Sequence, residues 1–214
     1  TSYIIPDLII KAVDGDYAIV FNDQASPVLR INPYYYRMLR QAEDEETCQF
    51  LQEKYRSALW LIKSIEQRRM TVYRITRAII DRQRDFLEKG IKHLHPMTMQ
   101  DIAGAIDMHE STVSRATTDK YIQTPRGLFE MKFFFCRGIQ DISSVSIKAM
   151  IVDYIDNEPP DAPYSDSGLA RELAEKEGIE LSRRTVSKYR NQLGIPSSTG
   201  RKNKNYSRKK EGFW

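Results

Sequence analysis

The run Ser182-Arg183-Arg184-Thr185-Val186-Ser187-Lys188-Tyr189-Arg190-Asn191 constrains this chain more than any other stretch. Read as a helix, it opens on Ser182, a good N-cap because its hydroxyl can accept a backbone N–H that the first turn leaves unpaired. Val186 and Tyr189 fall three apart and Leu193 four further on, so one side of the helix faces a core. Arg183, Arg184, Ser187, Lys188 and Asn191 cover the other side, which carries long donors, short polar groups and no carboxylate. Arginine bonds bidentately to guanine O6 and N7, and lysine or serine holds phosphates. A short basic helix with an apolar back therefore suits the major groove. The plainer alternative is a solvated basic face.

The preceding residues favour the groove. Ser165 or Asp166 can cap a helix that carries Leu169 and Leu173 and stops at Gly178. Ile179-Glu180-Leu181 then leads into the basic helix, which makes a helix-turn-helix pattern. A second such pattern lies upstream. Thr98 caps a helix with Ile102 and Ile106, Ala103 is small where two helices cross, and Asp107 stands where the turn wants positive φ. Val113 follows Ala103 by ten residues, the spacing at which the second helix packs back on the first. Its outer face is Ser111, Thr112, Ser114 and Arg115. His109, in the turn, is expected to pack or to bond backbone.

Charge is uneven along the chain. From Leu181 onward there are 10 Lys+Arg against 1 Asp+Glu, a surplus of +9, whereas the whole chain carries only +4. A polyanion-binding end thus joins a slightly acidic body. With 41% hydrophobic and 29% charged residues, a folded chain is expected. No apolar run approaches the roughly 20 residues that span a bilayer. Cys48 and Cys136 form no metal-spaced pair and fit a reducing cytoplasm. Lacking a signal peptide and an initiator Met, the chain is expected to be a fragment.

The first 95 residues read differently. Residues 1–22 form a hairpin, with Asp7 to Val13 and Tyr17 to Phe21 as strands around an Asp14-Gly15 turn. An irregular stretch through Pro27 and Pro33 precedes a short helix at Tyr34-Tyr35-Tyr36, whose rings are expected to pack on the next helices and a partner. After the acidic run Glu43 to Glu46, two helices are expected over 47–68 and 71–89. The first has an apolar stripe of Phe50, Leu51, Tyr55, Ala58, Leu59, Ile62 and Ile65. The second buries Val72, Ile75, Ile79 and Phe86 and exposes Arg74, Arg77, Arg82 and Arg84 to solvent or a polyanion. In 117–135, Pro125-Arg126-Gly127 makes a turn between buried aromatic residues. A further helix spans 143–157, and 197–214 is basic and expected to be disordered.

Residues 182–191 resemble the C-terminal signature box of the sigma-54 family of bacterial RNA polymerase sigma factors, Ala-Arg-Arg-Thr-Val-Ala-Lys-Tyr-Arg-Glu. They depart from it at Ser182, Ser187 and Asn191, and no departure removes a basic residue. The runs His-Glu-Ser-Thr-Val-Ser-Arg and Lys-Tyr-Ile-Gln-Thr-Pro-Arg-Gly within 109–135 resemble the family's central DNA-binding segment. Tyr3-Ile4-Ile5-Pro6-Asp7 and Trp60 to Arg68 resemble its core-polymerase-binding part. Cys136 departs from the family's usual Ser, and the tail after Gly200 has no match.

The resemblance implies a mainly α, multi-domain chain: two helix-turn-helix DNA-binding units and an α-rich domain with a short N-terminal β-hairpin. Residues 1–95 would be part of the core-RNA-polymerase-binding domain, 96–138 the central unit and 139–196 the C-terminal unit. It implies that the C-terminal unit reads an upstream GG promoter element and that the central unit lies near a downstream GC element. Arg183, Arg184 and Lys188 are then expected on base edges or adjacent phosphates, with Thr185, Ser187 and Arg190 in support. Ser111, Thr112, Ser114 and Arg115 would serve the central unit. The implied partners are core RNA polymerase, promoter DNA and, through the full-length factor, an ATP-hydrolysing activator. The chain would act as a cytoplasmic, nucleoid-associated monomer, with no membrane.

Enzyme chemistry finds little purchase in the sequence. There is no Gly-rich phosphate loop, paired-Cys zinc pattern or His-Glu-x-x-His motif. His93 and His95 stand alone near Pro96, and the carboxylates show no catalytic spacing. No catalytic residue, metal ligand or cofactor site is assigned. A recombinase or nuclease lacks its nucleophile beside the Arg74 to Arg84 region. The alternative of another class is a dimeric helix-turn-helix repressor with an N-terminal effector or dimerisation module, which would prefer a palindrome.

Overall fold

Asp14 and Gly15 take φ of 47° and 82°, and this turn folds Leu8–Val13 (β1) back on Asp16–Phe21 (β2) as the sequence predicts. The structure, a computed structural model, describes residues 4–22, 29–41 and 44–203. Tyr3, Pro27 and Glu43, named above, lie outside the described residues. The hairpin does not stand by itself. β1 pairs in parallel with Tyr121–Thr124 (β3), which pairs antiparallel with Gly127–Glu130 (β4), giving a sheet of order β2-β1-β3-β4. Pro125-Arg126 is the turn between β3 and β4. Asp7 fastens this junction. Its amide donates to the Tyr121 carbonyl at 2.9 Å, and its carboxylate accepts from the Tyr121 amide at 2.9 Å and from Lys120 Nζ at 2.6 Å.

Between the strands the chain is helical, in Pro33–Gln41 (α1) and Glu45–Arg82 (α2). The break expected near residue 70 is absent, and α2 runs unbroken for 38 residues. No Gly or Pro interrupts that stretch, and the hydroxyl of β-branched Thr71 donates back to the Gln67 carbonyl at 3.0 Å. The helix stops instead at Gln83, after which Arg84–Lys89 (α3) forms a short helix ended by Gly90 at φ 96°. Val72, Ile75 and Ile79 of α2 and Phe86 of α3 are buried as expected. The N-terminal stripe of α2 is not. Leu51, Tyr55, Ala58, Ile62 and Ile65 are half-buried, and Phe50, Leu59 and Trp60 are exposed. The tyrosines of α1 are exposed too, with Tyr36 against the Tyr55 ring at 5.9 Å. Arg77 does not project freely, because it bonds Asp16 at 3.0 Å and the Tyr17 carbonyl at 3.1 Å, tying α2 to β2.

Two compact units result, one within Thr1–Asp81 and Met99–Phe133, the other within Arg82–Thr98 and Phe134–Trp214. The boundaries expected at residues 95 and 138 fall elsewhere for a structural reason. The N-terminal hairpin shares a sheet with β3, so it belongs with the segment that follows residue 98. Residues 82–98 join the C-terminal unit. Gln83 is buried and exchanges two hydrogen bonds with the backbone of His95, at 2.8 and 3.0 Å. Buried Ser146 donates to the carbonyls of Ile91 and Leu94 at 3.0 Å each.

The first unit also holds Met99–Ala105 (α4) and Glu110–Thr117 (α5), joined through Asp107 at φ 54°. Ala103 and Val113 are both buried. In the second unit, Gly138–Ile139 (β5) and Ile142–Ser143 (β6) form a hairpin whose turn residues Gln140 and Asp141 take φ of 51° and 60°. Ser143–capped Ser144–Asp156 (α6), Asp166–Glu177 (α7) and Arg183–Gln192 (α8) follow. Ile147, Ile151, Leu169, Leu173, Ile179 and Val186 pack in one cluster there, and each is fully buried. Each such side chain contributes about 1.5–3 kcal/mol.

The disorder expected from residue 197 is not found in the described part of that segment. Ser198–Asn203 (α9) is helical and Arg201 is buried, bonding Glu158 and the carbonyls of Pro196 and Tyr164. Residues 204–214 lie outside the described residues. Among the described residues no helix is long and apolar enough to cross a membrane, and no cluster of His, Cys, Asp and Glu is placed to hold a metal.

Candidate nucleic-acid interface

α7 and α8 take the form that their caps dictate. The Ser165 hydroxyl accepts from the Gly168 amide at 3.0 Å, Gly178 ends α7 in the left-handed region, and the Ser182 hydroxyl accepts from the Thr185 amide at 3.2 Å. Val186 is buried, and Leu193 nearly so, as the apolar spacing requires. Arg183, Arg184 and Lys188 are exposed, and among the described residues none pairs with them. The first turn of α8 carries no acidic residue, so the two arginines add to the positive end of the helix dipole. This face is cationic and carries no carboxylate.

The supporting residues differ among themselves. Thr185 is half-buried, its hydroxyl 2.9 Å from that of Ser182, and acts within the cap. Ser187 is half-buried, 3.4 Å from Arg190 Nη2. Arg190 is turned inward, contrary to its expected place on the DNA side. Its Nε and Nη2 meet the two carboxylate oxygens of Asp166 at 2.7 and 3.2 Å, and Nη1 donates to the Ile195 carbonyl at 2.6 Å. The sequence held the signal. Arg190 stands four residues after Val186 and three before Leu193, on the same inward stripe. Held by Arg190, the Asp166 carboxyl stays below the usual carboxylate range.

In the first unit, His109 is the N-cap of α5, its Nδ1 accepting from the Ser111 amide at 3.2 Å. Thr112 and Arg115 are exposed, whereas Ser111 and Ser114 are half-buried. Ser111 is already engaged, its hydroxyl 2.8 Å from His109 Nδ1 and 3.3 Å from Arg115 Nη2. The Ser114 carbonyl accepts from the hydroxyls of Thr117 and Thr118. Thr112, Arg115 and Ala116 line a shallow cleft of about 380 Å³ together with Arg68 and Thr71 of α2. Arg68 and Thr71 are not among the residues that the sequence predicts here, since the break expected in α2 falls between them. His95 binds Asp85 at 3.0 Å and its backbone serves Gln83, so it acts structurally.

Comparison with known proteins places the chain in a family. Residues 48–203 match the family model described as "Sigma-54, DNA binding domain", and residues 1–35 match "Sigma-54 factor, core binding domain". The first match begins well before residue 95 and includes most of α2. The RNA polymerase sigma-54 factor of Escherichia coli is 42% identical over 205 residues, covering 94% of this chain and 43% of that protein. That of Azotobacter vinelandii is 40% identical over 205 residues, covering 94% and 41%. The chain thus spans less than half the length of these relatives. A crystal structure of Aquifex aeolicus sigmaN bound to promoter DNA superposes with TM-score 0.65 at 31% identity, covering 94% of this chain and 61% of that one.

Proposed function

The chain belongs to the sigma-54 family of RNA polymerase sigma factors, and from that premise we propose that it recognises promoter DNA and carries that recognition to core RNA polymerase. The observation that carries this reading is the exposed, carboxylate-free face of α8, on which Arg183, Arg184 and Lys188 stand unpaired among the described residues. α7 with α8, and α4 with α5, serve as two helix-turn-helix units. The first reads the upstream GG element and the second lies near the downstream GC element. Arg183, Arg184 and Lys188 make the base and phosphate contacts of the first. Thr112 and Arg115, with Arg68 from α2, make those of the second. The N-terminal residues, which match the core-binding family model, contribute to the polymerase contact.

In this reading the chain is not an enzyme and works as a monomer in the bacterial cytoplasm. An ATP-hydrolysing activator acts on the full-length factor. Family membership supports it over the dimeric repressor. Arg184→Ala tests it. At a GG-bearing duplex the variant should lose about 1–3 kcal/mol of binding, with little change on a duplex whose GG is scrambled. An equal loss on both would reduce Arg184 to a phosphate contact.

A further inference from the structure

Arg190 lies among the basic residues of α8 but faces away from them. Its side chain is 7% exposed and that of Asp166 is 16% exposed. Two of its nitrogens hold the Asp166 carboxylate and the third holds the Ile195 carbonyl. The Ile195 amide in turn donates to the Arg190 carbonyl at 3.1 Å. Asp166 is the first residue of α7, and Arg190 is in the last turn of α8. One bidentate pair therefore links the start of the first helix to the end of the second and fixes the chain as it leaves.

The apolar residues between the helices supply cohesion, but burial is non-directional and leaves their crossing angle soft. A fork-to-fork pair is directional. With a rise of about 1.5 Å per residue, Arg183 lies about 10 Å along α8 from Arg190, so a tilt of about 6° at the pinned end moves it about 1 Å. That exceeds the window of roughly 0.5 Å in which a hydrogen bond to a base edge keeps its length.

We infer that Arg190 and Asp166 form a positioning pair, which touches neither base nor phosphate and sets α8 on α7 so that Arg183, Arg184 and Lys188 reach the DNA together. The inference rests on the reading of α8 as the DNA-reading helix. Ser187 adds to the pair, its hydroxyl lying against Nη2. Lysine at 190 keeps the charge but not the planar fork, so it should not substitute.

The test uses the full chain, with Asp166→Asn, Arg190→Lys and Arg190→Met, titrated on GG-bearing and GG-scrambled duplexes at several salt concentrations. Far-UV circular dichroism and amide hydrogen exchange are followed on the free proteins. Asp166→Asn and Arg190→Lys should stay folded, lose preference for the GG duplex by about tenfold, as for one lost base contact, and bind scrambled DNA with an unchanged salt slope. Amides in the last turn of α8 should exchange faster. Full preference in Asp166→Asn would overturn the inference. So would Arg190 variants that weaken both duplexes alike and lower the salt slope by about one, the mark of a phosphate contact. Unfolding of both conservative variants would reduce the pair to a support of the fold. A wild-type chain without preference would instead sink the promoter reading, and the exchange of α8 amides would still decide whether the pair holds the helix.

Discussion

Arg201→Met should cost the C-terminal unit about 3–5 kcal/mol, the loss expected when one partner of a buried ion pair is removed. The Arg201 side chain is 2% exposed and that of Glu158 is 8% exposed. Arg201 meets both Glu158 oxygens, with Nη2 at 2.9 Å from Oε2, and donates to the carbonyls of Pro196 at 2.7 Å and Tyr164 at 2.8 Å. Methionine fills the space of the stem. It leaves a buried carboxylate whose remaining partner among the described residues is the Tyr164 amide, at 2.8 Å, and it frees two carbonyls. Against a total of about 5–15 kcal/mol for a domain, this is a large share. Domains of 60–100 residues shift by about 4–8 °C per kcal/mol, so the midpoint should fall by at least about 12 °C. Thermal unfolding followed by circular dichroism would measure it, with amide exchange in α6 to α9 locating the loss. Adding Glu158→Leu should recover part of the stability, because an apolar pair can replace a buried ionic one. A shift below about 2 °C, or a double variant no better than the single, would refute the clamp.

Gly138→Ala should cost about 1–3 kcal/mol in urea unfolding. Its Cβ would lie 2.5 Å from the Ile142 carbonyl oxygen and 2.6 Å from Pro96 Cβ, and neither neighbour is the end of a flexible chain. Asp85 should titrate at about 2, held down by hydrogen bonds from His95 and then Lys89. Its folded value lies below its unfolded one. What it adds to stability is therefore complete above the ordinary carboxylate range and fades as pH falls towards about 2. A carboxyl NMR titration checks this, and a midpoint near the ordinary value would contradict it.

Where local chemistry decides, the sequence could be read. Ser165 and Ser182 cap α7 and α8, Gly178 ends α7, Asp107 takes positive φ, and Asp14-Gly15 turns β1 into β2. What escaped was non-local or ambiguous in sign. Leu8 pairs with Ile122, and nothing near either residue marks a parallel partner so far along the chain. Charge misleads for Arg190 and Arg201, because a basic residue in a basic segment reads as solvated. Their carboxylates stand 24 and 43 residues upstream. Helical periodicity already placed Arg190 inward, and its long cationic side chain obscured this. The continuation of α2 was legible in the absence of any breaker between Glu45 and Arg82. The Thr71 hydroxyl, bonded to the Gln67 carbonyl, shows how the helix accommodates a poor helix former.

The most direct measurement is a titration of the full chain, at fixed and stated salt, on two duplexes. One carries the GG and GC elements at the family's usual separation, and the other has the GG scrambled. The account predicts a large preference for the first, of the order of the 10³-fold or more that separates specific from unspecific binding. Equal affinity for both would mean that the basic end acts by charge alone, and would contradict α8 as a reader of promoter sequence.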